Sequence, residues 1–202
     1  MKLHNLINPE LELKIEDNKI TIEEKQVKNN TLKNITITNL PENTFVFSID
    51  KKDVNICNGK CRNQLLNSED NKINKACDCI IFYYEDKYLD LLFCELKSMK
   101  LEANRYENQL INSKLFVDYL LVLFRQFYNN EIFEIRKIEF LLFYMDRKLQ
   151  ICKTLRNKVE IDNQPKYENM KNYPEKIIKY PLQKTHHNYI EWEDLAANFN
   201  PN

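Results

Sequence analysis

Glycine occurs once in 202 residues, at Gly59. Loops that cradle phosphate need several glycines, because the backbone must turn through positive φ and approach the ligand closely. P-loop and dinucleotide-binding fingerprints are therefore excluded. Histidine is nearly as scarce, with only His4, His186 and His187. Two of these are adjacent, so their rings diverge on any regular element, and the three are too scattered for a nucleophilic triad or a zinc hydrolase centre. Long apolar runs are also missing. The longest, Leu115–Phe124, is interrupted by Asp118 and is too short to span a bilayer. Net charge is absent as well, since 30 Lys and Arg balance 30 Asp and Glu. A neutral chain has no general attraction to polyanions, so any nucleic-acid contact has to be focused in one cleft or borrowed from a partner.

What is present suffices for a folded domain. Hydrophobic residues make up 43% of the chain, and its length suits one compact domain with decoration. Residues 1–5 carry no apolar signal segment, so a cytoplasmic protein with reduced thiols is expected. The pattern suggests three stretches within one compact unit: a β-rich section over 1–56, a core over 57–161, and an extension over 162–202.

The core stretch is dominated by residues 75–98. Two runs rich in Ile, Phe and Tyr, Cys79–Tyr84 and Tyr88–Leu96, flank the polar turn Glu85-Asp86-Lys87. They read as a β-hairpin. The second run is apolar on both alternating faces, which predicts a central strand covered above and below. At its end stand Glu95 and Lys97, two residues apart and so on the same side of the strand. Asp78 opens the first run. In an antiparallel hairpin the start of one strand lies beside the end of the other, so Asp78, Glu95 and Lys97 converge on one rim. Two carboxylates beside an ammonium form a site for a hard cation.

Elsewhere the pattern is plainer. Residues 11–25 alternate around Asp17-Asn18 and predict a half-exposed hairpin, and 32–40 and 44–49 predict further strands. A helix is expected from about Glu102 to Asn129, apolar nearly all round over Leu115–Phe124 and therefore packed on more than one side. Residues 131–145 predict a strand beside that of Glu95. Residues 149–161 form an amphipathic, basic segment, 162–174 a loop, and 177–182 a short strand. The tail around Trp192 suits one short helix that docks on its own domain or on a partner.

The cysteines pose a separate question. Cys57, Cys61, Cys77 and Cys79 could together hold a structural zinc, but their spacing is not the Cys-x2-Cys pairing of zinc ribbons. On a regular strand Cys77 and Cys79 would both face away from Asp78. Free buried thiols are the simpler reading.

Asp78, a hairpin, and then Glu95-Leu96-Lys97 resembles the signature of the PD-(D/E)XK nuclease superfamily, with Cys77 in the place of the proline. The resemblance implies an α/β (α+β) fold of the restriction endonuclease-like kind: a central mixed sheet flanked by helices, here with an N-terminal β-rich extension. It also implies phosphodiester hydrolysis. Asp78, Glu95 and the carbonyl of Leu96 would hold Mg²⁺, or Mn²⁺ on the same oxygen-donor grounds. Lys97 would serve the attacking water or the developing charge, and Gln109 on the following helix would stand nearby. Lys75, Lys100, Arg105 and Lys114 would be the phosphate-facing cations, although a solvated helix face accounts for Gln109 and Lys114 equally well. DNA is the substrate implied, within a defence or mobile-element setting, and RNA is the variant of that reading. The alternative is a catalytically silent subunit of the same fold that binds a protein partner or nucleic acid.

Overall fold

The computed structural model describes residues 6–23, 34–49, 75–97, 103–128, 133–145, 164–182 and 188–197. Cys57, Cys61, Lys100, the three histidines and the basic segment 149–161 lie outside the described residues. The protein is a mixed α+β fold with two sheets. The larger contains, in spatial order, β3 (Thr44–Phe47), β4 (Cys79–Glu85), β5 (Tyr88–Lys97), β6 (Glu134–Met145), β8 (Lys176–Leu182) and β7 (Lys166–Asn169). The smaller has the order β1 (Ile20–Glu23), β2 (Asn34–Thr38) and β9 (Tyr189–Glu191).

Strands β3, β4 and β5 form an antiparallel meander. The β4–β5 turn is two residues long, and Asp86 takes a positive φ of 55° that aspartate tolerates better than most residues. Strand β6 then runs parallel to β5. A parallel neighbour needs a long crossover, and the helix α1 (Ala103–Phe127) supplies it. The β5–β6 register slips at Leu89/Asp90, leaving Arg136 as the extra residue of a bulge. Arg136 uses this placement to bind both carboxylate oxygens of Asp90 and to pair with Glu85.

The alternation of β5 builds two cores. Leu89, Leu91 and Phe93 pack toward α1 together with Ile80, Phe82, Phe140 and Leu142. Leu92, Cys94 and Leu96 pack on the opposite face with Ile81, Leu141, Phe143 and the isoleucines of the smaller sheet. Each fully buried Leu, Ile or Phe contributes about 1.5–3 kcal/mol, so the two-sided burial of β5 makes it the anchor of the fold. Trp192 sits at the start of α2 (Trp192–Ala197) and packs edge-on against Tyr83 at 5.3 Å. The tail therefore docks on its own chain.

Three features depart from the pattern read in the sequence. The Asp17-Asn18 turn exists, with both residues at positive φ, but the arm before it makes only single bridges, and β1 pairs with β2 instead. Residues 166–169 form the edge strand β7, where a loop is expected. Finally, over Leu115–Phe124 α1 is packed on one side only. Val117, Leu120, Leu121 and Phe124 are buried, while Leu115, Tyr119 and Val122, at i, i+4 and i+7, are 59, 58 and 62% exposed. The apolar residues of this helix outnumber the positions that one sheet face can cover.

Candidate active site

The site lies where β5 ends. Cys79 pairs with Cys94 in the β4–β5 ladder, so one step further Asp78 stands across from Glu95. The register places the Glu95 side chain on the face that α1 covers, two residues beyond Phe93. Regular pairing stops at Cys79, and the Asp78 carboxylate takes over its work: Oδ2 accepts the Leu96 backbone N–H at 2.7 Å. Leu96 lies between Glu95 and Lys97, so this bond ties Asp78 to the strand that carries the other two groups. In an extended strand a residue's N–H and C=O point to the same neighbour, so the Leu96 carbonyl is also directed toward the Asp78 side.

Glu95 is fully buried, with 0% exposure, and Lys97 is half-buried at the strand end. The Lys97 ammonium donates to Glu95 Oε1 in a short ion pair. Desolvating a carboxylate costs several kcal/mol, and an adjacent ammonium offsets that cost. The donor set around this point is all oxygen: two carboxylates and a backbone carbonyl. Oxygen donors of this kind are the ones that a hard divalent ion such as Mg²⁺ takes.

The segment leading into Asp78 is held by α1. Gln109 Nε2 donates to the Ala76 carbonyl at 3.0 Å, and Asn112 Nδ2 to the Lys75 carbonyl at 3.2 Å. Ser113 Oγ accepts the Cys77 N–H at 2.9 Å and donates to the Gln109 carbonyl at 2.9 Å. Gln109 therefore reaches the segment two residues before Asp78, and its donor is taken by the backbone. Asn112 and Ser113 are missing from the sequence reading. Their signal is a polar notch at i, i+3 and i+4 from Gln109, on the helix face that also presents buried Leu110 and Val117.

The other cations divide. Arg105 is exposed on the first turn of α1. Lys114 pairs with Asp118 one turn along α1 at 2.8 Å. Lys75 is half-buried next to the pinned segment. Lys179 was not anticipated. It lies in the same row as Glu95, through Leu142, and pairs with Glu168 while its ammonium sits 5.6 Å from the Tyr106 ring centre. On the far side of α1, Glu107 is buried and accepts the Lys171 and Asn172 N–H groups at 2.8 and 3.2 Å, which fixes the β7–β8 turn against the helix.

Cys77 and Cys79 do not share a face. The chain bends at Asp78, so Cys77 packs in the core under α1 and Cys79 in the opposite core, across from Cys94. No cluster of three or more His, Cys, Asp or Glu side chains poised for a metal occurs among the described residues. Cys77, Cys79 and Cys94 are free and buried. Burial pushes the Cys77 and Cys79 thiols well above the usual 9.0, and the negative charges of Glu95 and Asp78 near Cys77 add to the shift. The sign of the pH effect follows. Above pH 9 these thiols ionise in the unfolded chain but not in the folded one, so the unfolded state gains. Stability is expected to fall by about 1.4 kcal/mol per pH unit for each thiol above that point. Urea unfolding of the wild type and of Cys77→Ala/Cys79→Ala between pH 8 and 10 reads the difference in slope.

Among the described residues, no helix is long and apolar enough to cross a membrane. No family model, no curated protein and no solved structure matches the chain.

Proposed function

We propose that the protein is a metal-dependent nuclease that hydrolyses phosphodiester bonds in DNA in the cytoplasm. The observation that carries this reading is the Asp78 carboxylate bound to the Leu96 N–H, directly between Glu95 and Lys97. The order of elements supports it: an antiparallel hairpin bearing the acidic pair, a helical crossover, and a parallel strand beside the Glu95 strand, as in the PD-(D/E)XK superfamily that the motif resembles.

Asp78, Glu95 and the Leu96 carbonyl would hold Mg²⁺, with Mn²⁺ as a substitute. The ion would supply Lewis-acid polarisation of the scissile phosphate. The chain's own groups do the remainder. Lys97, anchored to Glu95, places a positive charge at the rim of the site, where it orients a water and offsets the negative charge that develops in the transition state. Buried Phe93 and Leu142 behind the carboxylates keep water out from below. Arg105 stands exposed on the adjacent helix turn, where a phosphate backbone could reach it.

The test is direct cleavage. Plasmid, linear duplex DNA, single-stranded DNA and RNA are incubated with the protein and Mg²⁺, Mn²⁺ or a chelator, beside Asp78→Asn and Glu95→Gln. Metal-dependent DNA cleavage that both substitutions reduce by at least 100-fold is expected. Intact substrates under every metal condition would refute the reading. A second reading, a silent subunit of this fold that binds a protein, is favoured by the exposed Leu115, Tyr119 and Val122 stripe and by the zero net charge. RNA as the preferred substrate in the same assay would correct the substrate and retain the chemistry.

A further inference from the structure

We infer that Gln109, Asn112 and Ser113 are positioning residues: the polar edge of α1 bonds the backbone of residues 75–77 and fixes the approach on which Asp78 is carried. The consequence for metal binding rests on the nuclease reading, whereas the structural part does not.

Residues 75–77 lie outside the β-ladder. Strand β4 begins at Cys79, and its pairing with β3 begins at Ile80. Three consecutive peptide units before Asp78 would thus enter the core unpaired, at a cost for each buried polar group left unsatisfied. Instead, each residue receives one side chain from α1. Lys75 and Ala76 offer carbonyls and meet amide donors, and Cys77 offers an N–H and meets a hydroxyl oxygen. Two backbone acceptors and one backbone donor on three consecutive residues are thus satisfied by side chains of a single helix. The Gln109 amide has one sensible orientation, since reversing it would set Oε1 against the Ala76 oxygen at 3.0 Å. Ser113 is completely buried and spends both its hydroxyl proton and its acceptor.

The line of contacts continues beyond the helix. The segment 75–77 leads directly into Asp78, Asp78 binds the Leu96 N–H, and Leu96 separates Glu95 from Lys97. Slack anywhere in 75–77 moves the Asp78 carboxylate relative to Glu95. Metal and catalytic constellations tolerate only about 0.5 Å of such error, and 1 Å can cost about 100-fold in rate. The bonds from Gln109, Asn112 and Ser113 to the backbone of 75–77 thus bear on the separation of the two carboxylates.

A purely structural role would lower stability alone. The full-length variants Ser113→Ala and Gln109→Leu are therefore compared with Val117→Ala, a core truncation one turn along the same helix. Three quantities are measured: the melting temperature, Mn²⁺ affinity by titration calorimetry, and amide hydrogen exchange at Leu96 by NMR. Ser113→Ala and Gln109→Leu are expected to speed Leu96 exchange and to weaken Mn²⁺ binding at least tenfold beyond Val117→Ala at matched loss of stability. Ser113→Thr, which keeps the hydroxyl, should restore Leu96 protection. If Ser113→Ala fails to fold, Gln109→Leu carries the comparison, because it leaves the Cys77 N–H bonded. Leu96 exchange and Mn²⁺ affinity indistinguishable from those of Val117→Ala would overturn the inference. A wild type that binds no Mn²⁺ while Leu96 exchange still responds to the variants would remove the nuclease reading and leave the positioning role standing.

Discussion

Lys97→Ala is expected to lower metal-dependent cleavage by about 100- to 10,000-fold, the range typical of removing a group that assists proton transfer or charge stabilisation. The same substitution should also destabilise the fold. Lys97 offsets the burial of Glu95, whose side chain is 0% exposed. Removing one partner of a buried pair costs about 3–5 kcal/mol, and the slight exposure of Lys97, at 15%, puts the expected value near the lower end. The double variant Glu95→Gln/Lys97→Met separates the two effects. It removes both charges and keeps most of the volume, so it should recover most of the lost stability and none of the cleavage. Urea unfolding and the cleavage assay together read this. If Lys97→Ala cleaves normally, the ammonium takes no part in the chemistry. If it is as stable as the wild type, the pair is not desolvated.

The second large effect is expected at Phe93. Its ring is completely buried under α1 and stacks on Phe140 at a centroid distance of 5.4 Å. It lies two residues before Glu95 on the same strand and face. Phe93→Ala removes the transfer free energy of the ring and leaves a cavity that the tightly paired β4, β5 and β6 cannot close. A cost of about 3–5 kcal/mol is expected. For a chain of this length that corresponds to a melting-temperature loss of about 10 °C, measurable by circular dichroism or calorimetry. The half-buried Phe45, on the edge strand β3, should cost less when truncated. Equal losses at the two positions would show that β5 is not the anchor of the fold.

The contrast between these two sites also explains what can be read in the sequence. Strand β5 is legible because a period of two with apolar residues on both faces has one solution, a strand covered twice. Glu95 and Lys97 then stand out as charges on a strand that otherwise carries few. The β4–β5 hairpin is legible because its turn is two residues long, and β6 because it alternates over a long run. These signals are local. The pairing of β1 with β2 is not, since the Asp17-Asn18 turn suggests a different partner and only the assembled sheet decides between them. Strand β7 reads Lys-Tyr-Glu-Asn and is exposed throughout, so it carries no apolar signature and exists only because β8 offers an edge. The roles of Asn112 and Ser113 depend on what the helix packs against, which a helical period does not encode. The face of Cys77 is misjudged for a simple reason: strict alternation fails at the bend where Asp78 turns to cap the ladder.

The smaller sheet joins segments that lie far apart in the chain. Thr36, Ile37 and Thr38 of β2 lie in parallel register with Tyr189, Ile190 and Glu191 of β9, and the Thr36 N–H donates to the Asn188 carbonyl at 2.8 Å. On the ribosome β2 therefore emerges well before β9 and waits for residues 188–191 to be synthesised before that edge is paired. A nascent strand exposed for that long is a template for foreign pairing. Thr36 and Thr38 face away from the isoleucines, giving the waiting strand one polar side. Loss of residues from 188 onward would reopen that edge permanently, so β9 acts as the clasp that closes the smaller sheet.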